Sequence, residues 1–175
     1  MSRSNDVNAT PAEHKSFAPV CVTCYVLTIS DSRTSETDTG GKLIRDLLQG
    51  AGHAISDYEI IRDEPQQVAA LVRQQLAQSP AQVIITTGGT GISSRDGTFE
   101  AIDALLDKRL PGFGELFRML SFDEIGAAAM MTRATAGSAA GKAIFALPGS
   151  PNAVRLAMTR LILPELGHVV QQLRR

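Results

Sequence analysis

Cysteine is scarce in this chain. Its 175 residues include two, Cys21 and Cys24, spaced C-x-x-C. One such pair is half of a four-cysteine zinc site, and no second pair exists. The segment from Val20 to Ile29 reads as a strand, so residues three apart point to opposite faces and the thiols diverge. They are expected to be structural thiols in a reducing compartment. The three histidines, His14, His53 and His168, are scattered and form no metal-ligand cluster. Long apolar runs are also missing. Nothing approaches the length of a membrane span, and the first twenty residues hold no signal-peptide core. Met1 to Pro19 is polar and reads as a flexible tail. A single domain over residues 20–175, in the cytoplasm and with no membrane contact, is the expectation. Charge of one sign has no excess either. Seventeen Lys and Arg face eighteen Asp and Glu, for a net charge of -1, which argues against a dedicated nucleic-acid partner. Three sequence motifs are absent as well: the Gly-Lys-Ser/Thr of a Walker A loop, the G-x-G-x-x-G dinucleotide fingerprint and the G-x-S-x-G nucleophile elbow.

What is there is an alternation of short apolar runs with helical periodicity. Strands are expected at Val20–Ile29, Ile55–Ile61, Val83–Thr87 and Ala143–Leu147. The third is apolar enough to be buried on both faces. Helices are expected around Leu43 to Leu48, from Pro65 towards Pro80, after Thr98, in two pieces from about Gly114 to Met131, and from Asn152 onward. Thr98 and Asn152 read as caps. Pro164 is placed to kink or divide the last helix. The order predicts an α/β fold, with a mainly parallel sheet between helices. In such sheets ligands bind beyond the carboxyl ends of the strands. Four loops lie there: 30–39, 62–65, 88–97 and 148–151.

The loop Gly88-Gly89-Thr90-Gly91 is the sharpest feature. Its glycines let backbone approach a ligand and aim N–H groups at an anion, and a helix N-terminus follows at Thr98. As a plain strand-to-helix turn it would look much the same. Asp96, between Arg95 and Thr98, is odd beside a phosphate unless a cation intervenes, and Mg2+ fits that role. Helix capping or an ion pair is its ordinary alternative. Asp63 ends the second strand and is also placed to cap the next helix. Ser30 and Asp31 end the first strand. Pro148-Gly149-Ser150-Pro151 makes a rigid turn with a hydroxyl to offer. Arg118 and Arg133 are candidate phosphate partners.

Taken in order, five segments resemble the MoaB/MogA family of molybdenum-cofactor biosynthesis proteins. They are Leu27 to Arg33, Asp38-Thr39-Gly40-Gly41, Thr87 to Gly91 with Arg95-Asp96, Pro111 to Arg118, and Leu147 to Val154. FGELFRMLSFDEIG, Phe113 to Gly126, looks closest to the MoaB branch. The resemblance implies a three-layer αβα sandwich that assembles as a homotrimer or a hexamer. It also implies adenylylation of molybdopterin by MgATP with release of pyrophosphate. The family's two key aspartates match Asp63 and Asp96, with Asp96 as the metal ligand. Phosphate and substrate binding would fall to Ser30, Asp31, Gly88, Gly89, Thr90, Gly91, Arg133, Pro148, Gly149 and Ser150. Some MoaB-branch proteins look like inactive paralogues, so a non-catalytic pterin carrier or scaffold is the alternative. The apolar segment from Phe113 to Met131, with Leu116, Phe117, Met119 and Phe122, is expected to form the oligomer interface.

Overall fold

The computed structural model describes Pro19, residues 21–93 and residues 96–174. The tail expected over Met1–Pro19 lies outside the described residues except for Pro19, and so does Arg95. The chain begins with β1 (Thr23–Ile29), α1 (Thr39–Gly50), β2 (Ala54–Ile61), α2 (Pro65–Gln78) and β3 (Val83–Thr87). It continues with α3 (Thr98–Asp103), β4 (Lys108–Arg109), α4 (Pro111–Ile125) and a 3-10 turn, Gly126–Met131. It closes with β5 (Thr135–Ala139), β6 (Lys142–Leu147), α5 (Pro151–Ala157), a π-turn at Met158–Ile162 and α6 (Leu163–Leu173).

The six strands form one sheet in the order β2-β1-β3-β6-β5-β4. The pairs β1/β2, β1/β3 and β3/β6 are parallel. The pairs β4/β5 and β5/β6 are antiparallel, so the sheet is mixed and mainly parallel. The chain leaves β1 towards β2 on one side, then returns to β3 on the other. The topological switch point therefore lies between β1 and β3, where open α/β sheets place ligands.

The central parallel strands β1, β3 and β6 are buried on both faces, because alternate side chains feed two cores. Cys24, Val26, Val83, Ile85, Phe145 and Leu147 pack with α1, α4, α5 and α6. Tyr25, Leu27, Ile29, Ile84, Ile144 and Ala146 pack with α2 and α3. The result is the three-layer sandwich. Each large side chain so buried contributes about 1.5–3 kcal/mol relative to exposure. Cys21 is exposed before β1, Cys24 is buried, and both are free. Burial, helped by the neighbouring Cys21, pushes the Cys24 thiol up to about 12, so it is inert at neutral pH. No helix among the described residues is long and apolar enough to cross a membrane.

Several local expectations are corrected. Thr98 is not a cap: Gly97 holds that place without a side-chain bond, and Thr98 is the first helical residue. Asn152 is not the cap of the last helical stretch. Ser150 is, accepting a hydrogen bond from the Ala153 N–H at 3.2 Å. Pro151 explains the earlier start, since its fixed φ and missing N–H suit the first helical position. The division expected at Pro164 is found: a wide π-turn at Met158–Ile162 separates α5 from α6, and Pro164 lies in the first turn of α6. Phe117 is not at the surface. It is fully buried and stacks with Phe113 at 6.3 Å, and Phe113 meets Phe145 edge-on at 5.3 Å. The outward face of this region is instead Leu116, Met119, Phe122, Ile125, Met130 and Met131.

Asp38 fixes the start of α1. Its Oδ1 accepts from the Gly41 N–H at 3.0 Å, which caps the helix. Its Oδ2 accepts from the Thr28 hydroxyl at 2.6 Å and from the Tyr58 hydroxyl. Gly41 is required there, because a Cβ would lie 2.2 Å from Asp38 Oδ2 and 2.5 Å from Thr28 Oγ1. The Arg45 guanidinium covers the Tyr58 ring at 4.0 Å. Burial alone would raise the Asp38 carboxyl. The bonds from Thr28, Tyr58 and Gly41, with the Arg33 charge, outweigh burial and hold it below the usual carboxylate range.

A group held that way contributes stability in full above its unfolded value, about pH 4, and loses it as pH falls through the lower folded value. Asp38→Asn is expected to lower stability at pH 7 by about 2–4 kcal/mol, given the charged hydrogen bonds lost. Its deficit against the wild type should shrink below about pH 4. Urea denaturation at pH 7 and pH 3 checks both statements. An equal deficit at the two pH values would remove Asp38 from the acid response.

Candidate functional site

The loops that follow β2, β1, β3 and β6 stand side by side, because those strands are neighbours in the sheet. Their contact is backbone on backbone at the switch point. Gly88, the first residue after β3, has φ +97 and donates its N–H to the Leu147 carbonyl at 3.0 Å. A Cβ on Gly88 would lie 2.1 Å from the Ile29 carbonyl oxygen. On its other side, a Cβ on Gly149 would lie 3.4 Å from Gly88 Cα. Thr87 Oγ1 donates to the Pro148 carbonyl at 3.0 Å. The N-terminus of α1 joins the group, since a Cβ on Gly40 would lie 3.7 Å from the Gly149 carbonyl oxygen and 3.8 Å from Thr87 Oγ1.

Of the residues expected to form a site, Ser30, Asp31, Gly88, Gly89, Pro148 and Gly149 therefore cluster at the ends of three adjacent strands, β1, β3 and β6. Ser30 continues the β1/β2 pairing through its N–H, which donates to the Ile61 carbonyl at 2.8 Å. Its hydroxyl oxygen accepts from the N–H groups of Ser32 and Arg33 at 3.3 and 3.2 Å. That bond folds the loop after β1 back on itself. Ser150 gives its side chain to capping α5, as described above.

Asp63 is stitched to the loops on both sides of it. Its backbone N–H donates to Asp31 Oδ1 at 3.2 Å. Its Oδ1 accepts from the Thr98 hydroxyl at 2.6 Å. Glu64, not Asp63, occupies the N-cap position of α2, and Pro65 follows in the first turn. Asp63 thus keeps its carboxylate for the space beside the glycine loop. A Cβ on Gly89, where φ is +66, would lie 3.2 Å from Asp63 Oδ1. Asp96 flanks the same loop two residues further on. A Cβ on Gly91 would lie 2.2 Å from Asp96 Oδ2, which accepts from the Ser93 N–H at 2.7 Å. Gly89 is glycine because of its positive φ and because Thr98 Cγ2 would lie 2.7 Å from a Cβ there, and Gly91 because the Asp96 carboxylate presses on it.

Arg133 approaches the loop from its other side. Its Nε donates to the Thr90 carbonyl at 3.2 Å, and Nη2 donates to the Gly91 carbonyl. Nη1 pairs with Glu100. Arg118, the other candidate, has its guanidinium nitrogens beside Gly114 on α4. The loop's own amides are left over. Among the described residues, the N–H groups of Gly89, Thr90, Gly91 and Ile92 have no hydrogen-bond acceptor.

No group of three or more His, Cys, Asp or Glu among the described residues is gathered to hold a metal. An all-protein cage is therefore not built. The donor set instead consists of separate carboxylates beside unpartnered amides. That chemistry fits Mg2+, which binds one or two carboxylates and takes the rest of its shell from phosphate oxygens and water.

Sequence reasoning missed Thr98 as the holder of Asp63, and Asp38 as the anchor of α1. The Asp38-Thr39-Gly40-Gly41 string carried a signal for the second, since an Asp three residues before a crowded Gly is a cap pattern. Nothing in the sequence separation of 35 residues signalled the first.

Gly88→Ala is the sharpest test of the junction. The substitution adds a Cβ at positive φ and drives it into backbone that no rotamer change can clear. It is expected to cost about 2 kcal/mol or more. Urea denaturation of the variant measures it, and a cost below about 0.5 kcal/mol, the scatter of ordinary surface changes, contradicts the packing described here.

Residues 25–168 match the domain family described as "Probable molybdopterin binding domain". The chain is 51% identical over 162 residues to molybdenum cofactor biosynthesis protein B of Halalkalibacterium halodurans, covering 92% of this chain and 95% of that one. A crystal structure of a molybdenum cofactor biosynthesis protein B superposes with a TM-score of 0.87 at 50% identity, over 90% of this chain and 99% of the other. The tungsten cofactor synthesizing protein MoaB of Pyrococcus furiosus superposes with a TM-score of 0.81 at 37% identity, over 90% and 100%. Half the residues are shared over nearly the full length of both chains, and the sheet order and loop junctions described above hold the segments that define the group. The chain belongs to the MoaB/MogA family of molybdenum-cofactor biosynthesis proteins.

Proposed function

We propose that the chain is a cytoplasmic molybdopterin adenylyltransferase. It transfers AMP from MgATP to the terminal phosphate of molybdopterin and releases pyrophosphate. One observation carries this reading: two carboxylates, Asp63 and Asp96, abut Gly89 and Gly91 of a single loop whose amides have no acceptor among the described residues. Amides attract phosphate oxygens, and carboxylates beside them need a cation between. A nucleotide with its magnesium satisfies both. A site for a bare pterin phosphate would need the amides without two carboxylates against them, which disfavours the carrier reading.

A molybdopterin phosphate oxygen attacks the α-phosphorus of ATP in line, and the bond to the pyrophosphate oxygen breaks. Such chemistry asks the protein chiefly for alignment and charge stabilisation. The amides of Gly89 to Ile92 face phosphate oxygens. Asp96 would hold Mg2+, and Asp63 would orient the metal or nucleotide through the geometry that Thr98 and Asp31 impose on it. Bound magnesium would neutralise charge developing on the phosphate oxygens. Ser30, Gly149 and Ser150 line the neighbouring ground where the pterin phosphate enters.

Asp63→Asn and Asp96→Asn should each keep the fold and reduce turnover by about a hundredfold or more in a purified adenylylation assay. Calorimetry with MgATP separates transferase from carrier. Magnesium-dependent ATP binding supports the transferase, and pterin binding without nucleotide binding overturns it.

The outward apolar face of α4 and the 3-10 turn supports assembly into a homotrimer, or a hexamer of two trimers. Met130 is 83% exposed, and Phe122 and Met119 are both more than half exposed. A face of that composition is unusual on an isolated chain. Sedimentation at micromolar concentration should give the trimer or hexamer, and Phe122→Asp should dissociate it while leaving the monomer folded. A monomeric wild type contradicts the assembly.

A further inference from the structure

We infer that Arg133 is a positioning residue that shapes the glycine loop, not a ligand of the substrate phosphate. The inference rests on the adenylylation reading for what the loop holds. It rests on the structure alone for how the loop is held.

The guanidinium is spent on the protein. Nε and Nη2 share one edge of its planar fork. That edge takes two successive carbonyls, those of Thr90 and Gly91. The far nitrogen, Nη1, pairs with Glu100. One face lies over the Phe99 ring at 4.7 Å. The positive charge is therefore already matched by a carboxylate, and a phosphate arriving there would have to displace Glu100.

The consequence for the loop follows from peptide geometry. No cis peptide is present among the described residues, and in a trans peptide the C=O and N–H point in opposite directions. The Thr90 carbonyl points at Arg133, so the Gly91 N–H points away from it. The Gly91 carbonyl points at Arg133, so the Ile92 N–H points away too. By drawing two carbonyls to one side, Arg133 turns two amides to the other. Those amides are among the four that lack an acceptor among the described residues. The clamp also reaches Asp63. Phe99 and Glu100 stand in the first turn of α3 beside Thr98, whose hydroxyl holds the Asp63 carboxylate. Arg133 thus fastens the anion-facing loop to the element that orients Asp63.

A lysine cannot do this. Its three donors sit on a single nitrogen, so it lacks a planar fork that meets two successive carbonyls on one edge while reaching Glu100 with the far nitrogen. The two roles for Arg133 consequently make opposite predictions. If Arg133 binds phosphate, Arg133→Lys keeps much of the nucleotide affinity, and Glu100→Gln, which frees the cation, tightens it. If Arg133 is the clamp, Arg133→Lys fails as Arg133→Met does, and Glu100→Gln weakens affinity.

The test uses the full chain and its Arg133→Lys, Arg133→Met and Glu100→Gln variants. The readouts are the amide order parameters of Gly89 to Ile92 without ligand, the calorimetric affinity for MgATP, and kcat and KM for adenylylation. Expected are order parameters falling below about 0.6 in both Arg133 variants. MgATP affinity should fall by about tenfold or more in both, and by less, in the same direction, in Glu100→Gln. Wild-type loop order and affinity in Arg133→Lys, or tighter MgATP binding by Glu100→Gln, overturns the inference. If Arg133→Met fails to fold, the other two variants decide. If the wild type binds no MgATP, the adenylylation reading falls, and the order parameters still judge the clamp.

Discussion

The molecule turns on a contact in which side chains take no part. Gly88 lies against the carbonyl of Ile29 so closely that a single methyl group would collide with it. The contact joins the ends of β1 and β3, which are the strands on either side of the point where the chain reverses its direction across the sheet. Gly149 closes on the same glycine from β6. Because the three strand ends are locked through backbone, the loops leaving them start from fixed places. Their side chains can then be aimed by a few bonds each, as a catalytic arrangement requires.

The aspartates divide along the same line. Asp38 sits inside, with both oxygens occupied by Thr28, Tyr58 and the Gly41 amide. Its charge is satisfied by the protein, and its role is to hold the start of α1 beside Gly149. Asp63 and Asp96 sit against glycines of the exposed loop. Asp63 accepts from the Thr98 hydroxyl and Asp96 from the Ser93 N–H. Such bonds orient a carboxylate against the loop. The same logic separates Asp31, which holds the Asp63 backbone, from the residue it holds.

Much of this was legible in the sequence, and the limits have physical causes. The central parallel strands were readable because burial on both faces demands continuous apolar runs such as Val83 to Thr87, and the edge strand β2 because Ile55, Tyr58, Ile60 and Ile61 keep it rich in strand-forming residues. The positions of the four loops followed from that topology. The antiparallel strand Thr135–Ala139 was not readable. Its TAGSA string has only Thr135 as a branched residue, and it pairs because Gly137 and its small neighbours admit close packing from Leu106 and Lys108. The hairpin turn that joins it to β6 uses Ala140 and Gly141, both at positive φ, without the Asn-Gly signal that such turns usually carry. Phe117 was misplaced because composition tells how apolar a helix is, and only packing tells which side faces in. Asp96 drew notice because a carboxylate is unexpected in a glycine loop, and Asp63 because it ends a strand beside Pro65. Thr98 did not, since a threonine at a helix start has a sufficient local explanation.

The outer strands of the sheet carry a different kind of information. One margin is β4, two residues long, and both of them, Lys108 and Arg109, are exposed cations. The opposite margin is β2, whose sequence places Asp57 and Glu59 among its apolar residues. A border that is very short, like β4, or that carries charges, like β2, discourages a neighbouring chain from adding itself strand by strand. In a crowded cell, where many copies emerge from ribosomes together, such borders guard the interior hydrogen-bond ladder against fibrous growth. The exposed apolar side chains lie instead on the helical face of α4 and the 3-10 turn, where no unpaired strand invites endless addition.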